Sequence, residues 1–160
     1  MYVRFFIFYF LHFCVLTRGG TLIDPVLQWS NCNNCYAVAA RDVLLWHKPS
    51  LKNITVHQLM KDSHQTCNGG VPTRIWDMYF RNKSKVVSIS KYNRLIKKLQ
   101  NILLKYGPFV VNKGLTHLVT VFHVDTNGFL VRDPKQIEYE IWDIPFIKSS
   151  LPFFYVAYPT

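Results

Sequence analysis

Acidic side chains are scarce in this chain of 160 residues, where 9 Asp and Glu stand against 19 Lys and Arg and the net charge is +10. That excess fits a polyanion partner, a membrane surface or simply a basic protein. The basic residues form no long run and match no recognition motif, so we do not expect a nucleic-acid partner.

Repeats and low-complexity linkers are missing as well. The chain is 49% apolar and 16% aromatic, a composition that excludes a disordered protein. Its length fits one domain with a substantial core.

No apolar run is long enough to span a bilayer comfortably. The run from Phe5 to Leu16 follows a short basic segment and precedes small residues, which is typical of a signal peptide. We therefore expect residues 1–20 to be a signal peptide or a hydrophobic N-terminal segment, and residues 21–160 to be the folded domain. The alternatives for the N-terminal segment are an apolar element of the core and a fragment of a polyprotein.

Cysteine is sparse, with four in the chain. Cys14 lies in the N-terminal segment, which leaves Cys32, Cys35 and Cys67, a number that favours one disulfide and one free thiol. No second Cys-x-x-Cys and no His-x-x-x-His follows the first pair, so a zinc site is not expected. A thioredoxin-like redox pair would need βαβ surroundings that the sequence lacks. We expect no metal and no other cofactor.

The sequence changes from helical to strand character near Gly107. Helical spacing and helix-end signals predict helices over 35–46, 55–60, 72–80 and 92–106. Runs of β-branched and aromatic residues predict strands over 109–112, 118–124, 128–132, 137–142 and 153–158, with a hairpin turn at 125–128. Helices followed by antiparallel strands indicate an α+β fold.

Cys35 opens the first predicted helix and is the candidate nucleophile. A thiol at a helix N-terminus lies near the positive end of the macrodipole and near the unpaired N–H groups of the first turn. Both favour the thiolate, which is the nucleophilic form. Taken alone, a buried free cysteine is more often a small apolar residue of the core. Gln28 places a polar amide before this cysteine in the sequence.

His117 and Asp133 are the candidate base and the residue that orients it. With the hairpin turn at 125–128, the two fall at the open ends of adjacent strands and lie side by side. An imidazole there can take up the cysteine proton, and a carboxylate beside its other nitrogen fixes the tautomer and supports the imidazolium. His123 has no such spacing and is interpreted as structural.

Five blocks, in order from about residue 25 to 134, resemble the active-site blocks of papain-like cysteine proteases. They are Gln28…Cys32-Asn33-Asn34-Cys35-Tyr36-Ala37, the segment 54–60, Cys67-Asn68-Gly69-Gly70, the segment 107–111 and the segment 116–133. The resemblance implies a papain-like fold of reduced size, in which an N-terminal helical half packs on a C-terminal antiparallel sheet. It also suggests a compact papain- or cathepsin-like member.

The resemblance implies a role for each matched residue. Cys35 would be the nucleophile, His117 the general base and acid, and Asp133 the orienter. Gln28 and the backbone N–H of Cys35 would form the oxyanion hole, in which one donor lowers the barrier by about 3 kcal/mol.

The glycine block has implied roles too. Gly69 and Gly70 would pair with the substrate backbone in the cleft. Cys32 and Cys67 would form a disulfide between the active-site loop and the glycine turn, which leaves Cys35 as the free thiol.

The chain also departs from the family pattern. Gln28 is one residue further from the nucleophile, and Tyr36 stands in place of tryptophan. The orienter is Asp133 rather than asparagine, and Pro134 follows it, which looks more like bacteriocin-leader peptidases and other minimal papain-like folds. Because the chain is far shorter than a secreted cathepsin, we expect altered substrate subsites.

These features predict a cysteine peptidase that hydrolyses peptide bonds through an acyl-thioester intermediate. The alternatives are an acyltransferase, deamidase or deubiquitinase on the same fold, and a non-catalytic papain-like domain. Arg18-Gly19-Gly20 is a candidate self-processing junction, because viral papain-like proteases often cleave after double glycine.

The expected partner is a protein or peptide substrate, and the expected oligomeric state is a monomer. Membrane contact is expected only through the N-terminal segment if it stays uncleaved. The predicted location is secreted or endomembrane and lysosome-like, to which sequons at Asn53 and Asn82 are suited. A domain of a viral polyprotein is the alternative.

Overall fold

Helices precede and flank a single antiparallel sheet in the computed structural model, which describes residues 26–80, 84–88, 95–114, 116–150 and 155–160. The helices are α1 (Cys35–His47), α2 (Val56–Asp62), α3 (Pro72–Phe80), α4 (Leu95–Tyr106) and α5 (Ile144–Ser150), with a short 3-10 turn at Pro49–Leu51. The strands are β1 (Ser84–Ser88), β2 (Phe109–Lys113), β3 (His117–Val124), β4 (Gly128–Arg132), β5 (Tyr139–Asp143) and β6 (Tyr155–Pro159). The predicted α+β class is confirmed.

The sheet has the strand order β1-β6-β2-β3-β4-β5, and all of its pairs are antiparallel. The last strand of the chain therefore lies between β1 and β2. In the hairpins that follow, His117 pairs with Lys113 across β2 and β3, and Thr120 pairs with Arg132 across β3 and β4. A register shift between Val121 and His123 bends the second hairpin.

Both faces of the sheet are covered, so the strands bury alternate residues on opposite sides. On β2, Phe109 and Val111 belong to the cluster formed with α4, whereas Val110 belongs to the cluster formed with α1, α2 and α3. α1 is the most enclosed helix, and its Ala37 and Ala40 have no exposed surface. Small side chains let this helix lie close to the sheet, which matters because Cys35 is its first residue.

A buried ion pair joins α1 to the end of β4. The side chains of Asp42 and Arg132 are each 1% exposed, and they form a charge-assisted hydrogen bond. Thr120 donates a second hydrogen bond to Asp42, at 3.3 Å. Arg132 also donates to the carbonyl of Val26 at 2.7 Å, which holds the start of the described chain against the same strand.

Element boundaries follow the sequence predictions to within two residues, apart from three ends. The fourth helix is described from Leu95, since 92–94 lie outside the described residues. The strand predicted over 137–142 begins at Tyr139, because the alternation at its start belongs to exposed residues of a turn. The final strand is described over Tyr155–Pro159, and residues 153 and 154 lie outside the description.

Two elements were not predicted. β1 is a short edge strand with a largely exposed sequence, so it lacks the alternation of apolar residues that marks a half-buried strand. α5 follows β5 directly, without the loop residues that usually separate elements, and Asp143 accepts a hydrogen bond from the N–H of Phe146 at its start.

The N-terminal segment 1–20 lies outside the described residues. In the part of the chain that the structure describes, no helix is both long enough and apolar enough to cross a membrane.

The buried ion pair predicts an asymmetric response to mutation. Asp42→Ala leaves the Arg132 guanidinium buried without its carboxylate, so we expect the free energy of unfolding to fall by about 3–5 kcal/mol. The double change Asp42→Leu with Arg132→Met removes both charges and should cost clearly less. Urea unfolding of the three proteins, followed by tryptophan fluorescence, measures the difference. Equal losses in the single and double variants would contradict this account.

Candidate active site

Cys35 lies at the N-terminus of α1 as a free, buried thiol. Its Sγ lies 3.8 Å from the carbonyl oxygen of Thr116, on the segment that leads into β3. Burial opposes ionisation of the thiol. A hydrogen bond with His117, backbone hydrogen bonds with Leu118 and Tyr36 and the charge of His117 outweigh burial and hold the pKa of Cys35 below its ordinary value.

His117, the first residue of β3, is paired with Asp133. Its Nε2 lies 2.6 Å from Oδ1 of Asp133, and the imidazole side chain is 15% exposed. Because Nε2 is taken by the carboxylate, Nδ1 is the nitrogen left to serve Cys35. Burial opposes protonation, but the hydrogen bonds to Asp133 and Cys35 raise the pKa of His117 to about 9.

Asp133 follows β4 and is 2% exposed. Its Oδ1 also accepts from the backbone N–H of Lys135 at 2.9 Å, and its Oδ2 accepts from Nζ of Lys113 at 2.9 Å. Burial opposes ionisation, but the hydrogen bond to His117 and these two donors hold the pKa of the carboxyl well below its usual range. The carboxylate is therefore charged at any pH at which the imidazole titrates.

The pKa shifts of Cys35 and His117 both favour transfer of the thiol proton to the imidazole. A lowered thiol pKa and a raised imidazole pKa favour the ion pair of a Cys35 thiolate with a protonated His117 at neutral pH. The thiolate is the attacking form, and the imidazolium is the acid that a leaving amine requires.

Gln28 anchors the loop that precedes α1. Its backbone N–H donates to the carbonyl of Pro134 at 2.7 Å, and its side-chain Nε2 donates to the carbonyl of Cys32 at 3.0 Å. Only the amide nitrogen can donate to that carbonyl, so the orientation of the side chain is determined by chemistry. The second Nε2 hydrogen is the one available to a substrate oxygen. The use of Gln28 as an oxyanion donor remains a prediction.

The glycine turn lies against this loop. Cys32 and Cys67 form the disulfide that the resemblance implied, and the N–H of Asn33 donates to the carbonyl of Cys67 at 2.9 Å. Gly69 has φ +131°, where glycine is favoured, and nothing lies within 4 Å of the position that a Cβ would take. Gly69 is exposed, and its N–H donates to the carbonyl of Thr66 at 3.3 Å.

Gly70 is constrained differently. A Cβ at this position would lie 2.6 Å from the ring of Tyr36 and 2.4 Å from Oε1 of Gln65. Any side chain would thus push on the residue next to the nucleophile. The structure places Gly69 and Gly70 beside the helix start, and their contact with substrate remains a prediction.

Two features of the site were not found from the sequence. Lys113 contacts Asp133, and Arg132, which directly precedes Asp133 on the chain, pairs with Asp42 of α1. The pairing of β2 with β3 places Lys113 opposite His117, so the register of that hairpin could have indicated the contact of Lys113 with Asp133. No local sequence pattern indicated the Asp42–Arg132 ion pair. Within the described ranges, no group of three or more His, Cys, Asp or Glu side chains is placed to hold a metal ion.

Two solved structures with a similar fold are a protease and a peptidase domain. One is the double glycine motif protease from an AMS/PCAT transporter in complex with its leader peptide, with a TM-score of 0.61 and 15% identity over 90% of this chain and 96% of that one. Another is the peptidase domain of Streptococcus ComA, a bifunctional ABC transporter of a quorum sensing pathway, with a TM-score of 0.55 and 20% identity over 87% of this chain and all of that one. No protein-family model and no curated protein matches the sequence.

The chain thus has the papain-like α+β fold of these peptidase domains, and the predicted fold is confirmed. The two neighbours are transporter peptidases, so the finer resemblance to cathepsins gains no support from them.

The ion pair predicts how the reactivity of Cys35 depends on pH. Iodoacetamide alkylates the thiolate. The alkylation rate of wild type should therefore reach half its maximum below pH 9.0, which is the ordinary pKa of a cysteine thiol. In Asp133→Asn the imidazolium loses its anionic partner, the thiolate loses support, and the midpoint should move up by about one pH unit.

Asp125→Asn is the matched control, because Asp125 faces His123 at 3.7 Å on the same hairpin. Its alkylation profile should match that of wild type. Identical profiles for Asp133→Asn and wild type would refute the assigned ion pair.

Proposed function

We propose that the chain is a cysteine peptidase that hydrolyses peptide bonds through an acyl-thioester intermediate. The observation that carries the proposal is the 2.6 Å contact of His117 with Asp133 beside a free thiol at a helix N-terminus. Cys35 is then the nucleophile, His117 the acid and base, and Asp133 the group that orients the imidazole.

In the first half-reaction, the Cys35 thiolate attacks the carbonyl carbon of the scissile bond and the carbonyl oxygen becomes an oxyanion. The Nε2–H of Gln28 and the backbone N–H of Cys35 would donate to that oxyanion. His117 gives its proton to the leaving amine, the C–N bond breaks, and a thioester to Cys35 remains.

In the second half-reaction, neutral His117 accepts a proton from water. The resulting hydroxide attacks the thioester carbon, the C–S bond breaks and the acid product leaves. The thiolate and the imidazolium are restored, and Asp133 keeps the ring oriented throughout.

The proposed substrate is a peptide that binds along the exposed backbone of Gly69. Because the AMS/PCAT neighbour is a double glycine motif protease bound to a leader peptide, we propose cleavage after two glycines. Arg18-Gly19-Gly20 offers that sequence within the chain itself, although it lies outside the described residues.

We keep a secreted or endomembrane location and a monomeric state as parts of the proposal. The Cys32–Cys67 disulfide is typical of an oxidising compartment, which is consistent with that location. A signal peptide at residues 1–20 would deliver the chain there.

Peptide cleavage is the direct test. We expect the protein to cleave a peptide with a double glycine, and we expect Cys35→Ala to abolish cleavage. Gln28→Ala should lower kcat by about 100-fold or more, because one oxyanion donor is lost. Gln58→Ala, an amide on the exposed face of α2, is the matched control and should retain wild-type rates.

Mass analysis of the products separates the alternatives. Hydrolysis gives a free acid, whereas an acyltransferase would join the acyl group to an added amine. A folded protein with a reactive Cys35 and no cleavage of any peptide would count against the peptidase.

Processing of the N-terminus is a separate prediction. If the chain cleaves itself at Gly19-Gly20, N-terminal sequencing of wild type should show a new terminus after Gly20, and Cys35→Ala should keep the original terminus. The same cut in both proteins would instead indicate a signal peptidase, and no cut in either would remove the self-processing proposal.

A further inference from the structure

Charged side chains from β2, β4 and β5 contact one another next to His117, and the sign of the charge alternates along these contacts. Lys113 ends β2 and pairs in register with His117 on β3. Asp133 follows β4, and Glu140 lies on β5. The order of these strands in the sheet brings the four side chains to one end of it.

Lys113 sits between the two carboxylates. Its Nζ lies 2.9 Å from Oδ2 of Asp133 and 3.6 Å from Oε2 of Glu140. Trp142 donates from Nε1 to the same Glu140 oxygen at 3.0 Å, and Nζ of Lys113 lies 5.5 Å from the centre of the Trp142 ring. The ammonium is therefore held in place by groups of β5 as well as by Asp133.

Each oxygen of Asp133 thus has its own charged partner. Oδ1 contacts His117 and Oδ2 contacts Lys113, so the carboxylate cannot rotate without losing an ionic contact. Burial opposes the charge on Lys113, but Asp133 and Glu140 hold the pKa of its ammonium above the ordinary value. The lysine is charged over the whole range in which His117 titrates.

The positive charge also has an electrostatic effect. A bare carboxylate beside the imidazolium binds its proton tightly, and a tightly held proton is poorly donated to a leaving amine. The ammonium of Lys113 at Oδ2 offsets part of the negative potential that Asp133 creates at the imidazolium.

We propose that Lys113 is a positioning residue, which fixes Oδ2 of Asp133 and offsets its charge so that His117 can release its proton to the leaving group. This inference rests on the proposed peptidase function for its catalytic consequence, but its effect on His117 does not need substrate.

The test begins with histidine titration by NMR, in which the His117 signal is assigned by its loss in His117→Gln. Lys113→Met removes the cation and leaves the Asp133 carboxylate beside the imidazole without its partner, so the titration midpoint of His117 should rise by about one pH unit. Lys113→Arg keeps the charge and should keep the wild-type midpoint. Lys98→Met, an exposed lysine of α4, controls for net charge and should also titrate as wild type.

Peptide cleavage gives the second readout. Lys113→Met should lower kcat by up to about tenfold with little change in KM, because a weaker acid slows loss of the amine. Asp133→Asn leaves Lys113 without its carboxylate, so adding Lys113→Met to that variant should restore activity by about threefold or more.

A His117 midpoint that stays in place or falls in Lys113→Met would overturn the proposal. Failure of the double variant to recover activity over Asp133→Asn would overturn it as well. If no variant, wild type included, cleaves peptide while the midpoint still rises as expected, the peptidase function fails and the electrostatic role of Lys113 stands.

Discussion

The ion pair between Asp42 and Arg132 is the constraint on which the geometry of the site depends. Asp42 lies two turns after Cys35 on α1, and Arg132 directly precedes Asp133. The pair is almost fully buried, so neither charge can be hydrated and separation of the two elements would be costly. The position of the Cys35 thiol relative to the Asp133 carboxylate therefore depends on the Asp42–Arg132 contact, which small shifts of α1 or β4 would break.

Two further links attach the loop before α1 to the rest of the site. The backbone of Gln28 bonds to Pro134, and the disulfide joins Cys32 to Cys67. The loop before α1 is therefore attached to the end of β4 and to the glycine turn. These attachments supply the rigidity that precise positioning of the site requires.

The sequence was sufficient for those parts of the site that depend on local pattern. Cys35 could be located because it begins the first predicted helix and because the family resemblance implies a disulfide between Cys32 and Cys67. His117 could be paired with Asp133 because a hairpin turn determines which residues face each other. The fold class followed from the change of periodicity near Gly107. β1 and α5 were missed because an exposed edge strand and a helix without a preceding loop have no such pattern.

The sequence did not predict the roles of Lys113 and the Asp42–Arg132 pair, for a different reason. Each depends on the side-by-side placement of elements distant in sequence, and a lysine at a strand end or an aspartate in a helix has no distinctive local context. Register is the missing quantity, since a shift by one residue would turn Lys113 to the other face of the sheet. Charged residues that serve a site through another residue are thus harder to predict than the residues that react.

The same register explains why an aspartate can serve where the resembled family has an asparagine. An amide orients an imidazole without adding charge, whereas a carboxylate adds a full negative charge in a buried position. Here the added charge meets an ammonium 2.9 Å away on its second oxygen, and Glu140 holds that ammonium from the other side. Asp133 and Lys113 are therefore expected to act as one unit in the chemistry of His117.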